Sequence, residues 1–463
     1  MDISSAIFRA YDIRGTVPGQ LNAEAAHAIG CGFALFLIRE KAIPHPRIVV
    51  GRDNRTHGEA LQQAFIKGLI THGCDVTDIG LAATPLLYFA ATVGHFDAGC
   101  NVSASHNPAE YNGFKLVGKN AHAIFGEDLQ MIYKMIKKPE GGDIYPRLQV
   151  QIRNASFLGA YLNKIKSLFP NPQGLKIVVD TGNGIAGKFY PEILEALGNT
   201  VIPLFTELDG AFPNHQPDPI VEKNLEDLKK VVIANKADVG IAFDGDGDRL
   251  GIVDEKGIHW NSDRLAMLYV QDSLARTPKS RYVFTVSNSQ LLFDMTEQWG
   301  GKAHMCPVGH SFVEEAMTKE GAILGGEQSG HFFLSENYFP YDDAIVAAGR
   351  LLEIMRKAGK PLSEQMALFP KTIIAPEIRP YCSDETKFKI IEKIKTHFLK
   401  EYPSGNILDG IRIDFGNSSW AGIRVSNTSP CLSICMEATN EKELQNIQDK
   451  ILGHLRIYNE IKF

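Results

Sequence analysis

The sequence predicts three related mixed α/β sandwich domains followed by a C-terminal α+β domain with an antiparallel sheet. Three separate segments repeat one order of apolar strand, polar loop, amphipathic helix and second apolar strand. The last hundred or so residues follow a different pattern, and the total of 463 residues exceeds what one hydrophobic core normally supports. We therefore expect several domains, with functional loops at the carboxyl ends of strands.

The three α/β segments each have the pattern of a βαβ unit. The first has strands at 47–51 and 73–80 around a helix at 60–71, with a polar loop at 53–55. The second has strands at 175–180 and 199–204 around a helix at 190–197, with a loop at 182–184. The third has strands at 281–286 and 302–308 around a helix that ends near Trp299, with a loop at 287–289.

The C-terminal region predicts a small α+β domain. A strand at 372–378 leads to a helix at 384–399, for which Ser383 is a plausible N-cap. Strands at 410–415, 420–425 and 431–438 follow, and a helix at 441–455 closes the region. Pro- and Gly-containing stretches at 137–146, 254–257 and 369–371 punctuate the chain, which predicts domains at 1–150, 151–256, 257–369 and 370–463.

Composition narrows the class of ligand. The net charge of -6 and the pI near 6.2, with no long basic run, give no electrostatic footprint for nucleic acid or anionic membrane, so small molecules are expected. The seven cysteines are odd in number, scattered and without a C-x-x-C pair, which argues against a disulfide framework or a zinc site. Residues 1–4 lack a secretory pattern, and the apolar stretch at 33–38 is too short to span a bilayer. We expect a cytoplasmic protein.

The most informative stretch is the acidic run at 244–249, directly after the apolar residues 238–243. Asp244, Asp246 and Asp248 alternate with two glycines, so three carboxylates can converge on one hard divalent cation while the backbone turns tightly. Arg249 follows immediately, where a bound cation would repel it, so its guanidinium is expected to face a second anion, most simply a phosphate. Metal and phosphate together suggest phosphoryl chemistry.

A calcium-binding EF-hand is one alternative for this run, because Asp244, Asp246, Asp248 and Glu255 have its spacing. Position six of that loop requires Gly and here holds Arg249. Both flanks, 239–243 and 250–253, also have the pattern of strands rather than helices. These features favour a catalytic metal loop over a calcium hand or a merely structural acidic turn.

A second candidate loop lies at 102–108, where Ser103, Ser105 and His106 precede Pro108. Ser105 is the candidate nucleophile. His106 or Lys115 could take its proton, and a cation held by the three aspartates could neutralise a phosphoryl group on its oxygen. Taken alone, the loop is more typical of an ordinary turn that ends at Asn107-Pro108.

Together these residues resemble the α-D-phosphohexomutases, specifically the bacterial phosphomannomutase/phosphoglucomutase branch. The resemblance covers essentially the full chain. The matching motifs occur in order at 8–15, 103–108 with 112–115, 244–249, 326–331 and 424–430. It implies four domains around a central cleft, and reversible phosphoryl transfer between C1 and C6 of mannose or glucose phosphates. Mg²⁺ would be the cofactor, and a hexose 1,6-bisphosphate the intermediate and activator.

The resemblance also implies residue roles. Ser105 would carry the transferable phosphate and, with Asp244, Asp246 and Asp248, bind Mg²⁺. The residues implied near the transfer are Arg14, His106, Lys115, His310, Tyr11 and Arg249. Those implied to contact the sugar, from the motif at 326–331, are Glu327, Ser329 and His331. Those implied to clamp the non-reacting phosphate are Arg424, Ser426, Asn427 and Thr428.

The chain departs from this branch at Ser287, where the branch usually has a lysine. Ser287 with Asn288, the run 103–105 and the run 325–329 look instead like the phosphoglucosamine mutase branch, whereas 8–15 and 424–430 look like phosphomannomutase/phosphoglucomutase. Three alternatives stay open: a phosphoglucosamine mutase, a phosphatase, and a non-catalytic protein that binds sugar phosphates.

Overall fold

The structure is a computed structural model that describes residues 3–138, 151–426 and 429–463. Asn427 and Thr428 of the expected phosphate clamp therefore lie outside the described residues. Clustering of contacts divides the chain into two compact units. Unit 1 comprises residues 1–261 and 329–363, and unit 2 comprises residues 262–328 and 364–463.

The N-terminal part of unit 1 is built on a six-stranded mixed sheet. Its strands are β1 (Ile13–Thr16), β2 (Arg47–Arg52), β3 (Asp75–Leu81), β4 (Ala98–Val102), β5 (Tyr111–Val117) and β6 (Ile152–Asn154). Its helices are α1 (Ala23–Arg39), α2 (Gly58–Thr71), α3 (Thr84–Val93) and α4 (Glu127–Lys137). The strand order is β1-β5-β4-β2-β3-β6, and β2 pairs in parallel with β3 and β4. The predicted first βαβ unit is thus present, with Phe33, Phe65 and Phe114 stacked in its core.

The next part of unit 1 is a five-stranded mixed sheet in the order β11-β10-β9-β7-β8. Its elements are α5 (Leu158–Leu168), β7 (Lys176–Asp180), α6 (Tyr190–Ala196), β8 (Thr200–Leu204), α7 (Glu226–Asn235), β9 (Val239–Phe243), β10 (Leu250–Asp254) and β11 (His259–Trp260). β7 pairs in parallel with β8 and β9, whereas β9 and β10 form an antiparallel hairpin. The acidic run at 244–249 is the turn of that hairpin, so its flanks are strands, as predicted.

The third α/β segment has α8 (Ser262–Arg276), β12 (Arg281–Thr285), α9 (Gln290–Gln298), β13 (Lys302–Cys306), α10 (His310–Glu320) and β14 (Leu324–Gly326) in unit 2. β12 lies between β13 and β14 and pairs in parallel with both. β15 (Phe332–Leu334) and α11 (Ala344–Ala358) follow in the chain and belong to unit 1.

The C-terminal part has α12 (Leu362–Met366), β16 (Ile373–Ile374), α13 (Lys387–Glu401), β17 (Ile411–Gly416), β18 (Ser419–Val425), β19 (Leu432–Ala438) and α14 (Glu441–Leu455). Its four strands form an antiparallel sheet in the order β16-β19-β18-β17, and α13 and α14 pack on it through a shared apolar core. The predicted α+β character is confirmed. The predicted start of α13 was wrong. The helix begins at Lys387 with Thr386 as N-cap. Ser383 accepts backbone hydrogen bonds through its carbonyl oxygen instead of capping the helix with its side chain.

The boundaries at 150, 256 and 369 stay predictions. Two strands lie just beyond a proposed cut and join the preceding sheet: β6 pairs with β3, and β11 pairs with β10. All seven cysteines are free thiols, and six of them are buried. Among the described residues, none of the helices has both the length and the apolar character needed to cross a bilayer.

Candidate active site

The serine loop follows β4, a fully buried strand that ends at Val102. Ser105 is buried and adopts a left-handed backbone with φ +53°, which is uncommon for a residue other than glycine. Its N–H donates to Ser103 Oγ at 2.9 Å, which helps to hold this turn. The hydroxyl Oγ of Ser105 donates to Asp244 Oδ2 at 2.7 Å, and His106 Nδ1 lies 3.2 Å from the same oxygen.

The acidic loop meets the serine loop at close range because of its glycines. Gly247 has φ +76°, and a Cβ on Gly245 would come within 2.5 Å of the Ser105 carbonyl oxygen. Asp244 Oδ1 accepts the N–H groups of Asp248 and Arg249, at 3.0 and 3.1 Å. The Asp244 carboxylate therefore stabilises the backbone of this turn.

The three aspartates are a candidate metal site. Their side chains are buried, and a carboxylate oxygen of each lies within 4.8 Å of the others. Oδ1 of Asp246 and Oδ1 of Asp248 are buried and make no hydrogen bond with any described residue. Buried carboxylate oxygens without a donor are costly unless a cation approaches them, and hard oxygen ligands are those that Mg²⁺ prefers. The residues present therefore fit a divalent cation.

Lys115, on β5, supplies positive charge to the same carboxylates. Its Nζ lies 2.7 Å from Asp246 Oδ2 and also forms a short ion pair with Asp248 Oδ2. Burial lowers the pKa of Lys115, but the charges of Asp246 and Asp248 raise it more, so the net pKa lies well above the ordinary value. Lys115 is thus a charged donor in this arrangement. For Asp244, burial raises the pKa, and the neighbouring carboxylates raise it further.

The Arg249 side chain contacts His331, in addition to the bond from its backbone N–H to Asp244. Arg249 Nε donates to His331 Nε2 at 3.0 Å, and the two residues form an isolated antiparallel bridge. His331 Nδ1 lies 2.5 Å from Asp342 Oδ2. Burial lowers the pKa of Arg249, but Asp218, Asp244 and Asp248 raise it above its ordinary value.

Arg14, on β1, also contacts the serine loop. Its Nε donates to Asp12 Oδ2 at 2.6 Å and its Nη1 to Asn107 Oδ1 at 2.8 Å, so it is tied to the residue two positions after Ser105. Burial lowers the pKa of Arg14, but Asp12 and Tyr11 raise it more. Tyr11 itself is half-buried. Burial also lowers the pKa of His106, and the charges of Arg249 and Arg14 lower it further.

Unit 2 contains the remaining expected residues that the structure describes, apart from Ser329, which belongs to unit 1 and is half-buried. Glu327 follows β14, is buried, and accepts the Gly309 N–H at 2.8 Å, immediately before His310 at the start of α10. Ser426 Oγ accepts Arg379 Nη2 and the Ser429 N–H, each at 3.2 Å. Arg424 and Ser287 line the same pocket.

Sequence models of known families match almost the whole chain. They are described as phosphoglucomutase/phosphomannomutase α/β/α domains I, II and III, at residues 5–142, 157–257 and 261–372, and the C-terminal domain at residues 377–454. The chain belongs to the phosphoglucomutase/phosphomannomutase family. The resemblance inferred from the ordered motifs is confirmed.

Full-length members of the family are similar to this chain. It is 42% identical to the phosphomannomutase/phosphoglucomutase of Pseudomonas putida, over 96% of this chain and 95% of that protein. It is 37% identical to a phosphoglucomutase of Neisseria meningitidis, over 97% of this chain and 96% of that protein. A crystal structure of a phosphoglucomutase/phosphomannomutase family protein from Burkholderia thailandensis superposes with a TM-score of 0.91 at 34% identity, covering 100% of both chains. The predicted fold class is therefore confirmed.

Some side chains that shape this family site were not singled out from the sequence. Thr84 Oγ1 donates to Asp246 Oδ2 at 2.6 Å and in turn accepts Asn101 Nδ2 at 2.8 Å. Asp342 contacts His331, and Arg55 contacts the serine loop. The Asp53-Asn54-Arg55 run at the end of β2 was a detectable signal, because charged residues at a strand end of an α/β sheet often face a site. Thr84 and Asn101 gave no such signal.

Proposed function

We propose that this protein catalyses reversible transfer of a phosphoryl group between C1 and C6 of hexose phosphates, with mannose and glucose phosphates as substrates. The observation that supports it most is the hydrogen bond from Ser105 Oγ to Asp244, at 2.7 Å, within a buried group of three carboxylates. A serine carrying phosphate at this position would have its charge offset by the cations around it.

The reaction has two half-cycles. In the first, the P–O bond to Ser105 Oγ breaks as a P–O bond forms to the free hydroxyl of a hexose monophosphate, which loses its proton to a base. The hexose 1,6-bisphosphate then reorients, its other phosphate returns to Ser105 Oγ, and the sugar hydroxyl regains a proton. No phosphate is released overall, so the activity is that of an isomerase.

Of the two candidate proton carriers, His106 has the more suitable contacts. Its Nδ1 lies 3.2 Å from Ser105 Oγ, whereas the Lys115 ammonium donates to Asp246 and Asp248. Lys115 and Arg14 would instead stabilise charge on the passing phosphoryl group. Tyr11 and Arg249 would line the same centre.

Asp244, Asp246, Asp248 and Ser105 would hold Mg²⁺, which supplies electrostatic stabilisation of the transferring phosphoryl group when bound. Glu327, Ser329 and His331 would contact the sugar, and His310 would be a neighbour of the phosphoryl transfer. The clamp for the non-reacting phosphate would comprise Arg424, Ser426, Asn427 and Thr428. A bisphosphate activator is part of the same proposal, since it would rephosphorylate Ser105 if the intermediate escapes.

The test combines phosphate analysis with turnover. Purified protein incubated with glucose 1,6-bisphosphate and Mg²⁺ should carry one phosphate on Ser105 by mass spectrometry, and should interconvert 1- and 6-phosphates in a coupled assay. Ser105→Ala should lose the phosphate and at least about 10³-fold in kcat. Ser103→Ala, which removes the acceptor of the Ser105 N–H but leaves the phosphate carrier, should retain phosphate on Ser105. Net phosphate release would identify a phosphatase, and binding without turnover a non-catalytic protein.

Phosphoglucosamine is the second candidate substrate, favoured by Ser287 and Asn288 after β12. A chain named probable phosphoglucosamine mutase from Methanopyrus kandleri is 32% identical over 97% of both chains. Comparison of kcat/KM on mannose, glucose and glucosamine 1-phosphates decides between them. Ser287→Lys should raise turnover of glucose 1-phosphate if the missing lysine limits it.

A further inference from the structure

Arg55 contacts the serine loop through both terminal nitrogens of its guanidinium. The residue follows β2 by three positions, and its side chain is 0% exposed. Nη2 donates to the carbonyl oxygens of Ser105 and Asn107, at 2.7 and 2.6 Å. Nη1 donates to the carbonyl oxygens of Pro108 and Tyr111, at 2.7 and 3.0 Å. Three carbonyl groups of the serine loop and that of Tyr111, the first residue of β5, therefore converge on one planar cation.

Asp53 fixes Arg55 in turn. Its Oδ1 accepts the Arg55 backbone N–H at 2.9 Å, and its Oδ2 accepts Arg55 Nε at 3.2 Å. The Asp53 N–H donates to the Val102 carbonyl at the end of β4, directly before the serine loop. All the N–H groups of the Arg55 guanidinium thus have hydrogen-bond acceptors, so the side chain is not free to reorient.

Loops of the second sheet, also in unit 1, pack against the segment 53–55. The ring of Phe212 lies 5.0 Å from the Arg55 guanidinium. A Cβ on Gly210 would come within 2.8 Å of Arg55 Cα, so only glycine allows this approach. Asn54 Nδ2 also donates to the Asn183 carbonyl at 2.8 Å. The segment 53–55 is therefore packed between the serine loop and the second sheet's loops.

This arrangement has a specific consequence for Ser105. Its left-handed φ of +53° is held only because its surroundings over-determine it, and its carbonyl is one of the four that Arg55 binds. Charge-assisted bonds to carbonyl groups are short and directional, and they are made by a rigid fork. A lysine would provide a point charge and could not satisfy four carbonyls in a plane.

We propose that Arg55 is a positioning residue for phosphoryl transfer. By binding carbonyl groups of the serine loop, it keeps Ser105 Oγ directed at Asp244. The inference rests on the proposed function. Arg55 touches no reacting atom, so it acts through the geometry of Ser105 rather than on the substrate.

The test compares Arg55→Lys with Arg52→Lys, a matched change at the end of the same strand. The Arg52 side chain is paired with the exposed Glu59 and donates to the Asp53 carbonyl oxygen, and among the described residues it makes no hydrogen bond to the serine loop. Arg55→Lys should lower kcat about 10- to 100-fold while KM for the hexose phosphate changes less than about threefold, because small displacements of a reacting group cost rate rather than binding. Arg52→Lys should keep kcat within about twofold.

Hydrogen exchange supplies a readout that does not depend on turnover. Backbone amides of residues 103–112 should exchange faster in Arg55→Lys at a temperature where the variant is folded, while peptides from the C-terminal sheet stay unchanged. An Arg55→Lys protein with kcat within twofold of the parent, or with unchanged exchange at 103–112, overturns the proposal. An equal rise in exchange throughout unit 1 also overturns it, since that is a general loss of stability.

If Arg55→Lys does not fold, Asp53→Asn takes its place, because it leaves the guanidinium and removes its charged anchor. We expect about a three- to tenfold lower kcat and a local rise in exchange at 103–112; unchanged values overturn the inference. If the parent has no mutase activity, the proposed function fails by itself. The exchange measurement and the yield of Ser105 phosphate then still decide the role of Arg55.

Discussion

At the residue scale, the His331 side chain shows how one neighbour can set the chemistry of another. Arg249 Nε always carries a proton, so His331 Nε2 must be the acceptor in their 3.0 Å contact. The proton of the neutral ring then lies on Nδ1 and is donated to Asp342 Oδ2. Asp342 therefore selects the tautomer that can hold Arg249.

Asp342→Asn tests this chain of contacts. If the amide nitrogen of Asn faces the imidazole, it imposes the opposite tautomer, and Nε2–H then points at Arg249 Nε–H. If the amide oxygen faces the imidazole instead, the uncharged amide binds Nδ1–H more weakly than the carboxylate does. We expect kcat/KM to fall about 10- to 100-fold. Kinetics and ¹⁵N NMR of the imidazole are the measurements.

Asp343→Asn is the matched control for that change. Asp343 caps α11 and accepts hydrogen bonds from Tyr161 and Tyr338, so its loss should lower the melting temperature and leave kcat near that of the parent. Equal kinetic losses in both variants would show that Asp342 acts only through stability.

At the element scale, the sequence predicted best those features that depend on local pattern. The three parallel strand pairs and the hairpin around 244–249 follow from apolar periodicity and from Gly-Asp alternation. The start of α13 was misplaced because Ser383 has the right side chain for an N-cap, but its Oγ pairs with Thr386 Oγ1 at 2.9 Å and its carbonyl oxygen accepts the N–H groups of Thr386 and Lys387. Which partner a serine hydroxyl takes leaves no signal in the sequence.

The start of α8 holds a carboxyl group that should make unit 2 sensitive to pH. Burial raises the pKa of Asp263 to about 7, although Asn288 Nδ2 donates to its Oδ1 at 2.7 Å. The carboxyl is protonated more readily in the folded state than in the unfolded state. It therefore contributes stability below the unfolded pKa, near 4, and this contribution is lost as the pH rises through about 7.

Asp263→Asn should remove this dependence, because the amide keeps the acceptor for Asn288 without a charge. Relative to the parent, we expect a higher unfolding midpoint at pH 8 and little gain at pH 4.5. The slope of stability against pH should be shallower by up to about 1.4 kcal/mol per pH unit across that window. Denaturant titrations at several pH values measure it. A parallel shift at every pH would contradict the assignment to this carboxyl group, and Asp272→Asn on the same helix is the control.

At the scale of the whole molecule, ordered motifs identified more of the site than any single element could. The site residues in unit 1 come from distant parts of the chain. They are Ser105, the three aspartates, Lys115, Arg14, Arg249 and His331. The charged run at 53–55 was visible at a strand end, but the contacts of Arg55 escaped prediction because its partners are backbone carbonyl groups, which every residue has and which leave no trace in composition. Contacts of that kind become visible only when the chain is folded.

A divalent cation should stabilise one unit specifically, since the aspartate trio belongs to unit 1. Its buried carboxylates repel one another, and two of their oxygens have no hydrogen-bond donor among the described residues. A cation that binds only the folded site stabilises it by about 2.7 kcal/mol at 100 times its Kd. Mg²⁺ should therefore slow hydrogen exchange in peptides that cover 239–254, and less so in those that cover 432–438.

The comparison uses Mg²⁺ against EDTA at matched ionic strength, in the parent and in Asp246→Asn. The variant removes one charge and one ligand, so its response to Mg²⁺ should be much weaker than that of the parent, while KCl should affect both proteins equally. An undiminished Mg²⁺ effect in Asp246→Asn would place the cation elsewhere. Because the protection is local, it also separates binding at the trio from a general effect of salt on stability, which would slow exchange in both units alike.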